Sequence, residues 1–130
     1  MAALVNRADE RHAAAADWLM HFRGELLSTE AVMIEAAYLL ARRPEHQRAA
    51  LQWVQRARAP RLMRIEPVAD HAVIAAIMAR YVSLPCDYAD ASLIDVAERS
   101  GVAAIATIDR RDFSGYRIRG RGRFRILVGS

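Results

Sequence analysis

Lysine is missing from this sequence: all nineteen of its Lys and Arg positions are arginine. That removes the catalytic lysine an acid-pocket phosphotransfer domain would need, and no clear acceptor loop stands in for it. Cysteine occurs once, at Cys86, so no internal disulfide can form and a reducing cytoplasm is the natural compartment. No apolar run is long enough to cross a membrane, because Glu35 interrupts the best one, "AVMIEAAYLLA". The start, "MAALVNRADERH", has an apolar stub too short for a signal-peptide core and no cleavage pattern behind it. Repeats, low-complexity linkers and breaks in composition are also absent, so residues 1–130 read as a single domain.

What is present is ordinary for a globular chain: 54% hydrophobic and 26% charged residues over 130 positions. That length buries roughly two thirds of the unfolded surface. The formal net charge is +4, and seven arginines crowd into "RRDFSGYRIRGRGRFR" between Arg110 and Arg125. Arginine forks bond phosphate oxygens bidentately, so the stripe suits a polyanion. A solvated loop, or a flexible Gly/Arg linker before a last strand, explains it equally well.

The pattern alternates strands with helices. Asp9 reads as the cap of a helix over "ERHAAAADWLMHF", "ELLS" as a short strand, and Ser28 or Thr29 as the cap of "EAVMIEAAYLLARR". Pro44 opens a helix through "EHQRAALQWVQRAR", and "RLMRIEPV" alternates as a strand. Asp70 caps "HAVIAAIMARYV"; "PCDYADASLIDVAERSG" opens on Pro and Asp, runs as an amphipathic helix, and stops at Gly101. "VAAIAT" and "RFRILVG" complete the strands. This order predicts an α/β domain with a mostly parallel sheet, whose ligands would sit beyond the carboxyl ends of the strands.

Three carboxylates occupy unusual places. Val32, Ala36, Leu39 and Leu40 form an inward stripe, and Glu35 falls inside that apolar helix, where an unpaired charge would cost several kcal/mol. Asp90 stands in the first turn of its helix, three residues after its cap Asp87, where the helix dipole favours an anion. Asp109 follows directly on the strand "VAAIAT" and one more residue, with Asp112 three positions later as a turn or cap residue. Each acid alone has a plain explanation in an arginine partner or a cap. Taken together they suit one pocket around a hard cation, Mg²⁺ or Mn²⁺, because no Cys or His accompanies them. Asp95 and Glu98 are expected to face solvent, Ser92 to touch the site or face water, and Cys86 to be a small buried residue. His12, His21, His46 and His71 form no ligand spacing and read as surface or capping residues. Trp18, Trp53 and Phe22 read as core or dimer-face residues, and Met20, Met33, Met63 and Met78 as core filler.

"LLSTEAVMIEAAYLL", "YADASLIDVAERSG" and "IATIDRRDF", in this order and spacing, resemble PIN-domain ribonucleases, most closely the VapC-type toxins of toxin–antitoxin pairs. "ADERHAAAADWL" near the start and "FRILV" near the end extend the likeness over nearly the whole chain. The resemblance implies a PIN-like three-layer domain and cleavage of RNA by metal-activated water. By position it makes Glu35, Asp90 and Asp109 catalytic metal ligands for Mg²⁺ or Mn²⁺, Asp112 a further contributor, and Thr107 a supporting hydroxyl. Arg110, Arg111, Arg117, Arg119 and Arg121 would then bind the RNA backbone. A cognate VapB-type antitoxin and a homodimer through the early helices are implied as well.

One departure from the family pattern matters. The family begins with a strand ending in aspartate, and "MAALVNRADERH" matches the segment on the far side of that aspartate. Losing that central strand would leave buried backbone groups unpaired at about 1–3 kcal/mol each. Met1 is expected to be an internal position of a longer natural chain, because the three other acids would have little reason to persist in a dead enzyme. The alternative is a shortened, catalytically inactive PIN-like domain that binds RNA or an antitoxin.

Overall fold

The computed structural model describes residues 25–58, 63–81, 83–102, 104–105, 114–118 and 122–126. Among them the chain runs through strand β1 (Leu26–Thr29), helix α1 (Glu30–Leu39), helix α2 (Pro44–Arg58) and strand β2 (Met63–Glu66). Helices α3 (His71–Ala79) and α4 (Tyr88–Ser100) follow, then strands β3 (Ala104–Ile105), β4 (Arg117–Ile118), β5 (Gly122–Arg123) and β6 (Arg125–Ile126). The helix expected over "ERHAAAADWLMHF" lies outside the described residues, as do Thr107 and Asp109 through Phe113.

β1 and β2 pair in parallel, with Leu26 opposite Met63 and Thr29 opposite Glu66. A parallel pair needs a long crossover, and α1 with α2 supplies it. β3 and β6 also pair in parallel, Ala104 opposite Arg125 and Ile105 opposite Ile126. Parallel strands flanked by helices are the α/β arrangement expected from the sequence. The Gly/Arg segment differs from both sequence readings. β4 and β5 form an antiparallel hairpin there, pairing Arg117 with Arg123 and Ile118 with Gly122.

Helix boundaries follow local chemistry. Pro44 is the first residue of α2, where its missing N–H is no loss. Asp70 sits in extended conformation and accepts the Ala72 N–H at 2.9 Å, capping α3. α3 ends earlier than its apolar run suggests. The Arg80 and Tyr81 N–H groups reach back only to the Ile77 and Met78 carbonyls, a tightened last turn. Asp87 accepts the Asp90 N–H at 2.8 Å to start α4. Gly101 ends α4 at φ 78°, a left-handed backbone that only glycine adopts freely.

The core gathers where α3 meets α4. Ile74 and Ile77 from one helix, Ala91 and Ile94 from the other, and Tyr116 are all inaccessible to solvent. Full burial of each isoleucine is worth about 1.5–3 kcal/mol. α4 also packs against α1, β1 and β4. This corrects one expectation: Asp95 does not face solvent but is 6% exposed. With neighbours on several sides, α4 has little surface left for a fully solvated acid. Asp95 instead accepts from Arg99 at 3.1 Å, one turn on. Glu98 is half-buried and accepts a two-pronged bond from Arg80 at the end of α3, at 2.8 and 3.4 Å. Cys86 is half-buried rather than fully buried, at the edge of the same core.

α1 is apolar on more sides than it can bury. Val32 is 3% exposed, as its place in the stripe predicts, whereas Ile34 is 69% and Tyr38 79% exposed. Glu35 is half-buried, so the residue is not sealed in the core as an inward position implies.

Candidate functional site

The two helices that carry Glu35 and Asp90 are joined by a short relay of hydroxyl groups. β1 ends on Thr29, whose Oγ1 accepts the Val32 N–H at 3.1 Å and so caps α1. The same oxygen lies 2.7 Å from Ser92 Oγ in α4. Ser92 donates to the Ala89 carbonyl at 2.6 Å. A carbonyl can only accept, so the hydrogen between the two hydroxyls comes from Thr29. Thr29 is 1% and Ser92 1% exposed, which makes the relay dry and each of its bonds costly to lose.

Asp90 belongs to the turn that Ser92 anchors. Its backbone N–H is held by Asp87, and the positive end of the helix dipole faces its carboxylate. Its Oδ2 accepts the Tyr116 hydroxyl at 2.9 Å. That hydroxyl also bonds the Pro85 carbonyl, just ahead of the helix. Tyr116 is 0% exposed, and its ring lies 5.0 Å from that of Tyr81 at an interplanar angle of 59°. The Tyr81 hydroxyl in turn accepts the Arg117 N–H at 2.9 Å, fixing the start of β4.

Of the residues assigned by sequence, the fold packs α1, with Glu35, against α4, with Asp90. Both residues are half-buried. Among the described residues no group of three or more His, Cys, Asp and Glu is close enough to hold a metal ion. Asp109, Asp112, Thr107, Arg110, Arg111, Arg119 and Arg121 lie outside the described residues. The chemistry of the described donors does fit a hard divalent cation. They are carboxylate oxygens, and Asp90 is oriented through Oδ2 by a buried phenol, as metal-binding side chains commonly are.

Arg117 is described, and its Nη1 donates to the Ser114 and Tyr116 carbonyls at 2.8 and 3.0 Å. Part of its guanidinium therefore shapes the turn before β4. Arg123 stands opposite it in the hairpin and is exposed. Like charges in register across two strands repel, and an anion beside them relieves that repulsion. The hydrogen bonds that Arg80 donates to Glu98 raise its guanidinium above the ordinary value.

Sequence reasoning left Tyr116 unmarked. A lone tyrosine after Ser-Gly shows no periodicity, so nothing in the sequence marks it as a partner of Asp90. Ser92, read from sequence as touching the site or facing water, is 1% exposed, and its partner Thr29 stands 63 positions away.

Parallel strands, flanking helices and an acid at the start of α4 define an α/β domain of the kind that binds ligands beyond the carboxyl ends of its strands. The family model for the PIN domain matches residues 1–118, and the chain belongs to the PIN-domain family. PIN domains are generally nucleases, and those nucleases generally use divalent metal ions. A search of curated proteins finds no match to the chain. Among the described residues no helix is long and apolar enough to cross a membrane.

Proposed function

We propose that this protein is a metal-dependent endoribonuclease of the VapC toxin type. The observation that carries the reading is the Thr29–Ser92 hydrogen bond, because it holds the start of the Glu35 helix to the turn that presents Asp90. In this reading Glu35, Asp90 and Asp109 hold Mg²⁺ or Mn²⁺, Asp112 contributes a further oxygen, and Thr107 supports them. Such a cation, when bound, lowers the pKa of water and neutralises charge developing on a phosphodiester. Arg110, Arg111, Arg117, Arg119 and Arg121 steady the RNA backbone, and the opposed Arg117 and Arg123 of the hairpin favour an anionic ligand. A VapB-type antitoxin that fills the acidic pocket, a homodimer and a cytoplasmic location belong to the same proposal.

The test is RNA cleavage in Mn²⁺ by this chain and by Asp90→Asn. The variant is expected to lose more than about 10-fold, a loss already common when only an outer-shell partner of a metal is removed. Equal activity in both proteins removes the nuclease reading. RNA binding without cleavage in either one favours a non-catalytic domain that binds RNA or an antitoxin.

A further inference from the structure

We infer that Tyr116 is a positioning residue for Asp90, an inference that rests on the nuclease reading above. A phenylalanine would fill the same core volume, so the hydroxyl needs its own account. Burying an O–H costs free energy unless it is bonded. Its single hydrogen is shared between two acceptors, the Pro85 carbonyl and Asp90 Oδ2, the second at 2.9 Å. Those acceptors flank Asp87, whose carboxylate holds the Asp90 N–H at 2.8 Å. Asp90 is thus constrained twice, its backbone by the cap and its side chain by the phenol.

The phenol is itself rigid. Its residue is 0% exposed, it packs among Ile74, Ile77, Ala91 and Ile94, and its ring contacts Tyr81 at 5.0 Å. A carboxylate gripped by so immobile a donor has its oxygen direction set before any cation arrives. Partners of this kind, one bond removed from a metal, set ligand orientation and hence affinity.

The experiment compares Mn²⁺ affinity, measured by calorimetry, across the wild-type chain, Tyr116→Phe, Tyr81→Phe and Asp90→Asn, with thermal unfolding of each. Wild type should bind, and Asp90→Asn should lose binding. Tyr116→Phe should bind on the order of 10–100-fold more weakly, with a lower kcat on RNA and an unchanged KM. Tyr81→Phe removes a hydroxyl from the neighbouring ring, one that bonds Arg117 rather than Asp90. It should keep the wild-type affinity even where stability falls. Wild-type affinity in Tyr116→Phe, or equal weakening in both tyrosine variants, overturns the inference while leaving the nuclease reading intact. Mn²⁺ binding indifferent to Asp90→Asn overturns that reading, and this inference with it. Should Tyr116→Phe fail to fold, p-aminophenylalanine in place of Tyr116 keeps a ring and a donor. Retained affinity there supports the assignment, and lost affinity in a folded protein overturns it.

Discussion

Thr29 Oγ1 lies 2.7 Å from Ser92 Oγ, and the bond closes a buried relay from the Val32 amide to the Ala89 carbonyl. One end of that relay starts the helix of Glu35, and the other sits in the first turn beside Asp90. A polar link between two packed helices fixes register in a way apolar contact does not, because a slip of even one residue would strand a buried donor.

Ser92→Ala should therefore cost about 1–3 kcal/mol, since it leaves the Thr29 hydrogen without an acceptor. Thr29→Val loses the helix cap and should cost about 0.5–2 kcal/mol. The double variant should be destabilised by less than the sum, with a coupling of at least about 0.5 kcal/mol. Urea unfolding at constant m-value measures all three. Strict additivity would show that the two hydroxyls do not act as a unit.

The neighbouring residue on β1 should respond in the opposite direction. Ser28 is 0% exposed, and its Oγ is the buried side-chain atom without a hydrogen-bond partner among the described residues. An unsatisfied buried hydroxyl is a cost to the fold, and alanine removes it while leaving only a small gap. Ser28→Ala is expected to be neutral or to stabilise by up to about 1 kcal/mol, read from the same urea transitions. A loss above about 1 kcal/mol would mean that the hydroxyl has a partner in the folded protein.

Most of the described architecture was legible because it rests on local rules. The caps at Asp70 and Asp87, the proline opening α2 and the left-handed stop at Gly101 depend only on residues a few positions apart. What escaped the sequence depends on packing between distant segments. Asp95 looked like a solvated acid because a single helix cannot reveal how many neighbours will cover it. The β4–β5 hairpin was hidden in a run of arginine and glycine with no apolar alternation to mark strands. In the candidate site, the placement of Asp90 in the first turn of α4 was legible from its spacing to Asp87. The phenol that orients it comes from 26 residues away and left no pattern.

The Arg80–Glu98 pair allows a pH prediction. The bonds that Arg80 donates to Glu98 raise its guanidinium, with burial opposing them weakly enough to leave the net direction upward. A raised value contributes stability that is fully present below the unfolded guanidinium's titration and is lost only as pH rises through the folded value. Both lie far above neutrality. Arg80→Met should then cost about 1 kcal/mol or less, discounted because Arg80 is 37% exposed and screened by solvent. The cost should be the same at about pH 7 and about pH 9. Thermal unfolding of both proteins at the two pH values measures it, and a cost that shrinks by about pH 9 would show that another group supplies the dependence.

Arg117 and Arg123 face each other in the hairpin, yet their side chains differ in commitment. Arg117 spends Nη1 on the Ser114 and Tyr116 carbonyls, whereas Arg123 is exposed. Arg123→Ala should therefore weaken RNA binding with little change in stability, within about 0.5 kcal/mol. Arg117→Ala should weaken binding and also destabilise the turn before β4, by about 1 kcal/mol or more for the carbonyls it abandons. If each guanidinium neutralises one phosphate, each variant should reduce the slope of log affinity against log salt by about 1. Fluorescence anisotropy with a labelled single-stranded RNA over a series of KCl concentrations measures that slope. A slope unchanged by Arg123→Ala would exclude the hairpin as a phosphate contact and leave the repulsion between the two arginines to be relieved by solvent alone.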